Sequence, residues 1–131
     1  MTKKYEIYKC SICGNIVEVL CEGEGELVCC GEPMEHLKEK TEGEHQEWHI
    51  PVIEKQDKNT ILIKVGENPH PMTEEHYIKM IEILDDDCIA RKYLHPNDKP
   101  EFLIKSDKMP KMARAYCNLH GLWKGENHEN K

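Results

Sequence analysis

Four cysteines near the start of the chain, Cys10, Cys13, Cys29 and Cys30, constrain its fold more than any other feature. A Cys-x-x-Cys pair is the usual chelating knuckle of tetrahedral thiolate sites for zinc or iron. Gly14-Asn15 directly after it is a turn pair that lets backbone amides swing toward two thiolates. The run 16–20 (Ile-Val-Glu-Val-Leu) alternates like a strand, Glu22-Gly23-Glu24-Gly25 turns the chain, and Leu27-Val28 leads into the second cysteine pair. Neighbouring Cα atoms lie only ~3.8 Å apart. Two ligands from consecutive residues therefore pinch one S–metal–S angle or strain the backbone, which predicts a distorted tetrahedron. A segment this short buries too little apolar surface to stand alone, and a metal bound by four thiolates supplies the missing folding energy. Residues 1–38 are accordingly read as a metal-nucleated domain. Spacing does not choose the metal.

The polar stretch 38–46 (Lys-Glu-Lys-Thr-Glu-Gly-Glu-His-Gln) reads as a solvated linker, with His45 as an exposed histidine. Residues 39–131 then form a second domain that is mainly β. Strands are predicted over 50–54, 60–65, 88–94, 101–105 and 112–117, with a turn at Gln56-Asp57-Lys58-Asn59 between the first two. Residues 77–84 fit helical spacing about as well as alternation, and their strand neighbours decide for a strand. Turn signals at such close intervals predict a small antiparallel sandwich.

A third of the residues are charged, and the formal net charge is −7 over 131 residues. Clustered Lys and Arg are absent, which argues against nucleic acid as a partner. The charged N-terminus lacks the apolar run of a secretory signal, and no stretch approaches the ~20 apolar residues that span a bilayer. The expectation is a cytoplasmic protein without membrane attachment. In that compartment the seven cysteines are reduced thiols, suited to metal binding or catalysis rather than a disulfide framework. Cys21 and Cys88 match no ligand motif and read as ordinary free thiols.

A second donor set lies in the second domain. Cys117-Asn118-Leu119-His120 offers a thiolate and an imidazole from one tight turn that ends at Gly121. His70 sits between Pro69 and Pro71, which stiffen the backbone behind it, and His76 follows within the same loop. His49 stands just before Pro51. Any one of these histidines taken alone reads as a surface or core residue. Together His49, His70, His76, Cys117 and His120 are the candidate ligands of one redox metal. His36, His95 and His128 have no such setting and are read as structural or solvated, and Trp123 as core or interface packing.

These motifs carry a resemblance. The signatures Tyr8-Lys9-Cys10-x-x-Cys13-Gly14-Asn15, Leu27-Val28-Cys29-Cys30-Gly31, His49-x-Pro51-Val52-Ile53-Glu54, Pro69-His70-Pro71-Met72 with His76, and Tyr116-Cys117-Asn118-x-His120-Gly121 together resemble the desulfoferrodoxins. These are the two-iron superoxide reductases, and the match covers nearly the whole chain. The resemblance implies a desulforedoxin-like (rubredoxin-like) Fe(Cys)₄ domain, with zinc as a possible substitute, followed by an immunoglobulin-like β-sandwich. In that sandwich it implies a mononuclear iron with four equatorial histidines and an axial Cys117 thiolate. It further implies a homodimer, a rubredoxin-type electron donor, and reduction of superoxide to hydrogen peroxide as a defence against oxidative stress. Five donors leave one octahedral position open, and four neutral imidazoles with one thiolate leave the metal net positive. A local positive field of this kind answers the problem that an anionic chain poses to an anionic substrate.

The resemblance also implies catalytic roles for Glu47 and for position 48. In the family a Glu-Lys pair precedes the first histidine, the Glu closing the sixth position of the ferric state and the Lys attracting superoxide and assisting protonation. This chain keeps Glu47 but has Trp48, whose indole supplies no cation and no acidic proton of useful pKa. Either another lysine reaches the pocket, or water and solvent acid supply the protons, or the chain is slower than its relatives. Alternatively the indole simply packs at the pocket rim. Two other functions fit parts of the pattern: a pure electron carrier using Fe(Cys)₄, and a structural zinc module joined to an interaction domain.

Overall fold

Backbone pairing in the computed structural model, which describes residues 1–126, separates two compact units, one spanning Met1–Lys38 and the other beginning at Glu39. Three strands make the framework of the first: β1 (Ile7–Lys9), β2 (Ile16–Glu18) and β5 (Glu35–Leu37), antiparallel in the order β2-β1-β5. The two-residue strands β3 (Val28–Cys29) and β4 (Glu32–Pro33) form a separate hairpin around the second cysteine pair. Only Ile7, Cys10 and Val19 are buried apolar residues here, while Ile12, Val17, Leu20 and Val28 stay exposed. So little burial leaves the unit dependent on its thiols for stability.

Among its described residues the second unit holds one turn of helix, α1 (Gln46–His49), and strands that pair antiparallel. Its strands are β6 (Pro51–Asp57), β7 (Thr60–Val65), β8 (Ile78–Leu84), β9 (Ile89–Tyr93), β10 (Glu101–Lys105), β11 (Met112–Cys117) and β12 (Gly121–Glu126). They form a three-stranded sheet, β10-β7-β6, and a four-stranded sheet, β12-β11-β8-β9. Seven strands in two antiparallel sheets make an immunoglobulin-like sandwich. Alternation explains the core. In β7, Ile61, Ile63 and Val65 are buried while Thr60, Leu62 and Lys64 are less so. They share one cluster with Ile81 and Ile83 of β8 and with Ala113, Ala115 and Cys117 of β11. Cys117 therefore enters the protein in step with two alanines, at the end of a core-facing row. No helix of the described residues is long and apolar enough to cross a membrane.

The stretch 77–84 is a strand, and it lies beside β11 where register requires one. Several features depart from expectation: α1 forms where no helix is predicted, and β6 runs on to Asp57, into the expected turn. β12 was not anticipated, because Gly121, Gly125 and scattered charges blur its alternation. The polar stretch 38–46 is not simply solvated: Lys40 bridges to Trp123, its N–H donating to the Leu122 carbonyl (2.8 Å) and its own carbonyl accepting from the Lys124 N–H (3.0 Å). Register with β12 overrides a composition that reads as linker.

Of the histidines set aside from the metal site, His36 stacks on Tyr8 with ring centroids 5.0 Å apart, and His95 lies on the surface beside Asp98. His128 lies outside the described residues. Cys21 and Cys88 are exposed free thiols.

Candidate metal centres

In the first unit the turn after Cys10 draws the thiols together. Gly14 takes φ +84°, its N–H donates to the Cys10 carbonyl (3.0 Å), and the Cys13 N–H points at the Cys10 sulfur (3.4 Å). The second pair carries the strain expected of adjacent ligands, with Cys30 at φ +53° in the left-handed region and Gly31 following at +77°. Cys13 and Cys29 sulfurs lie 3.6 Å apart and those of Cys29 and Cys30 4.0 Å apart. A tetrahedron with metal–sulfur bonds of about 2.3 Å has edges of about 3.8 Å. Ligand atoms of all four cysteines fall within 4.8 Å of one another, so the set fits one ion.

Protonation agrees. Hydrogen bonds from the backbone amides of Cys13 and Ile12 hold the Cys10 thiol down to about 6. Crowding by the sulfurs of Cys13, Cys29 and Cys10 pushes Cys30 up to about 12. Four thiolates cannot share this volume without a cation.

The second unit gathers its donors from three places. His49 is the last helical residue of α1, which stops there because the residue before a proline avoids the helical region; Ile50 is extended at φ −73°, ψ 119°. The His49 Nδ1 pairs with the His45 carbonyl at 2.9 Å. That pairing turns Nε2 inward. His70 follows β7, its N–H donating to the Val65 carbonyl (3.0 Å) and its Nδ1 pairing with the Pro71 carbonyl (2.6 Å). A closed turn, Thr73–His76, presents His76. Cys117 and His120 come from the β11–β12 hairpin, where Cys117 pairs with Gly121 across a three-residue loop. Gly121 takes φ +85°, as such loops require.

The four imidazoles form a ring. Centroids are 4.7 Å apart for His49–His70, 4.7 Å for His70–His76, 4.9 Å for His76–His120 and 4.8 Å for His120–His49, each pair steeply tilted; the His49–His76 diagonal is 6.3 Å. The Nε2 atoms of His49, His70 and His76 are buried and have no hydrogen-bond partner. An unpaired buried nitrogen is costly, and three aimed at one point are explained by a metal. His49, His70, His76 and Cys117 bring donor atoms within 4.8 Å of one another, and the His120 Nδ1 lies 3.7 Å from the Cys117 sulfur. A mixed set of imidazole and thiolate suits iron.

Electrostatics prepare these donors. Burial holds the imidazoles of His49, His70 and His76 below the ordinary histidine range, His70 at about 4, so all three are neutral near pH 7. Burial pushes the Cys117 thiol up; hydrogen bonds from the Leu119 and His120 amides and the charge of Lys40 pull it back down. A bound cation would supply the remaining stabilisation of the thiolate.

Glu47 and Trp48 precede His49 on α1, both exposed, Trp48 by 36%. The Glu47 carboxylate makes no hydrogen bond or ion pair among the described residues, whereas its carbonyl accepts the Asn68 N–H at 3.0 Å. Trp123 is buried, as expected of core packing, yet it also touches the site. Its ring stacks on His49 (4.9 Å, 17°) and its indole N–H donates to the His120 carbonyl (3.0 Å). Lys40 meets the same carbonyl with its ammonium at 2.9 Å. Neither contact could be read from sequence: Lys40 sits in a polar stretch, and Trp123 announces itself only by following Gly121 by two residues.

Comparison with known proteins agrees with this construction. A family model described as desulfoferrodoxin matches residues 38–126, and one described as the desulfoferrodoxin N-terminal domain matches residues 2–37. A desulfoferrodoxin homolog of Archaeoglobus fulgidus is 53% identical over 125 residues, covering 94% of this chain and 98% of the relative. The desulfoferrodoxin of Nitratidesulfovibrio vulgaris is 54% identical over 128 residues, covering 96% and 99%. Among solved structures, the superoxide reductase from Treponema pallidum superposes with a TM-score of 0.75 at 26% identity, covering 96% of this chain and all of that one.

Proposed function

The chain belongs to the desulfoferrodoxin family, and from that premise we propose that its histidine–cysteine centre is a superoxide reductase site. The reaction joins superoxide, one electron and two protons to give hydrogen peroxide. The observation that carries this reading is the convergence of three buried, unpartnered imidazole nitrogens with the buried Cys117 thiol.

His49, His70, His76, His120 and Cys117 would hold iron, which supplies the electron that superoxide takes up. The chain's own residues set the conditions. Neutral imidazoles and a single thiolate leave the centre net positive, so an anion is attracted locally although the whole chain is acidic. Five protein donors would leave a bound iron able to take one further small ligand. Amides of Leu119 and His120 donate toward the Cys117 sulfur and keep the thiolate oriented. Glu47, carried next to His49 on α1, would be the carboxylate available to a bound metal in its resting oxidised state. Trp48 offers no transferable proton, so protonation of the departing product falls to another lysine or to water and solvent acid.

The remaining assignments complete the proposal. Residues 1–38 form the Fe(Cys)₄ domain through Cys10, Cys13, Cys29 and Cys30, a site that also accepts zinc, and residues 39–131 form the catalytic domain. A rubredoxin-type protein resupplies electrons, the protein works as a cytoplasmic homodimer, and nucleic acid is not a partner. The exposed apolar side chains of the first unit favour such a dimer.

Visible spectroscopy tests the assignment. On oxidation the iron-loaded protein should show a thiolate-to-ferric band that is lost in Cys117→Ser while the Fe(Cys)₄ absorption persists. Superoxide should trigger that band in the reduced protein within milliseconds. A Cys117→Ser variant that oxidises with superoxide as fast as the parent would leave the chain an electron carrier.

A further inference from the structure

A cation sits beside the thiolate-bearing turn, and the ligand set itself does not require it. The Lys40 ammonium donates to the His120 carbonyl at 2.9 Å and lies 5.4 Å from the Trp123 ring centroid. Its backbone is held by β12 on both sides, through the Leu122 carbonyl and the Lys124 N–H. Gly121 packs beside it, a Cβ there meeting the Lys40 Nζ at an ordinary contact distance of 3.7 Å. No carboxylate among the described residues pairs with it. The charge is therefore both fixed in place and uncompensated.

We propose that Lys40 is an electrostatic positioning residue for the histidine–cysteine centre: held at the His120 carbonyl over Trp123, its ammonium biases bound iron toward the ferrous state. The inference rests on reading that centre as an iron site. Oxidation adds one positive charge to the metal, and a nearby fixed cation opposes the change, so the reduction potential rises. Because Lys40 is exposed, the effect is screened by salt, over a Debye length of about 10 Å at 0.1 M. The hydrogen bond has a second consequence. It pins the carbonyl of a ligand residue, which the Trp123 indole also holds, and so it fixes where the charge acts.

Spectroelectrochemical titration of the iron-loaded full chain tests this. Lys40→Met keeps the stem against Trp123 and removes the charge, Lys40→Gln removes it with a polar group retained, and Lys40→Arg keeps it. At low salt the ferric-to-ferrous ratio at fixed potential should rise about tenfold in both neutral variants, a fall in midpoint of about 59 mV for one electron. That difference should shrink as ionic strength rises, and Lys40→Arg should titrate with the parent. Unchanged midpoints in the neutral variants, or an equal fall in Lys40→Arg, would overturn the electrostatic role. Absence of any thiolate-to-ferric band in the parent would overturn the iron-site reading first, and the inference with it.

Discussion

Asn118 ties the β11–β12 hairpin to the segment before β8, just beyond the last β8–β11 pair, Cys117 with Ile78. Its side chain accepts the Tyr77 N–H at 2.9 Å and donates to the Glu75 carbonyl at 2.9 Å, while its own N–H donates to the Tyr77 carbonyl at 3.2 Å. His76 lies between those two residues, so the turn that supplies Cys117 and His120 also holds His76 in place. Removing a group that orients a metal ligand commonly lowers affinity about 10–100-fold. Asn118→Ala should weaken iron binding at this centre by that order, measured by competition with a chelator, and leave the Fe(Cys)₄ absorption unchanged. The proposal for position 48 concerns the substrate instead. Trp48 provides no steering charge, so the superoxide rate should depend less on ionic strength than in Trp48→Lys. Equal salt slopes in the two proteins would mean that position 48 does not steer.

At the scale of elements, α1 is a single turn whose place is set by contact. A Cβ on Gly66, just after β7, would lie 2.7 Å from the Glu47 carbonyl oxygen and 2.8 Å from the Trp48 carbonyl carbon. Gly66→Ala therefore has to displace the helix that carries Glu47 and His49. We expect loss of the thiolate-to-ferric band in a protein whose far-ultraviolet spectrum still reports an intact sandwich; a normal band would show that α1 tolerates the shift. Such contacts mark what the sequence could not reveal. β7, β10 and β11 announced themselves at their observed bounds through apolar alternation, and the donors through prolines and a Cys-x-x-His turn. β12 pairs with β11 across a short hairpin, but its glycines and scattered charges blur the alternation, whereas the Lys40 bridge arises from register with a strand far away in sequence. A helix as short as α1 is below the length at which periodicity becomes visible.

For the whole molecule, stability and metal binding are one problem. The metal-free second unit holds His49, His70 and His76 neutral by burial, with His70 at about 4 against an ordinary 6.5. The unfolded chain binds more protons than the fold between those values. Stability of the metal-free protein is therefore full above about 6.5 and falls as pH drops toward 4. Denaturant midpoints of metal-free protein should be lower at pH 5 than at pH 7; equal midpoints would mean the three rings are not buried as neutral imidazoles. The central claim is that this centre reduces superoxide rather than dismutating it, and the products decide that most directly. Fully reduced protein mixed with substoichiometric superoxide should yield one hydrogen peroxide for each superoxide consumed and no dioxygen. Release of one dioxygen for every two superoxides would contradict the account.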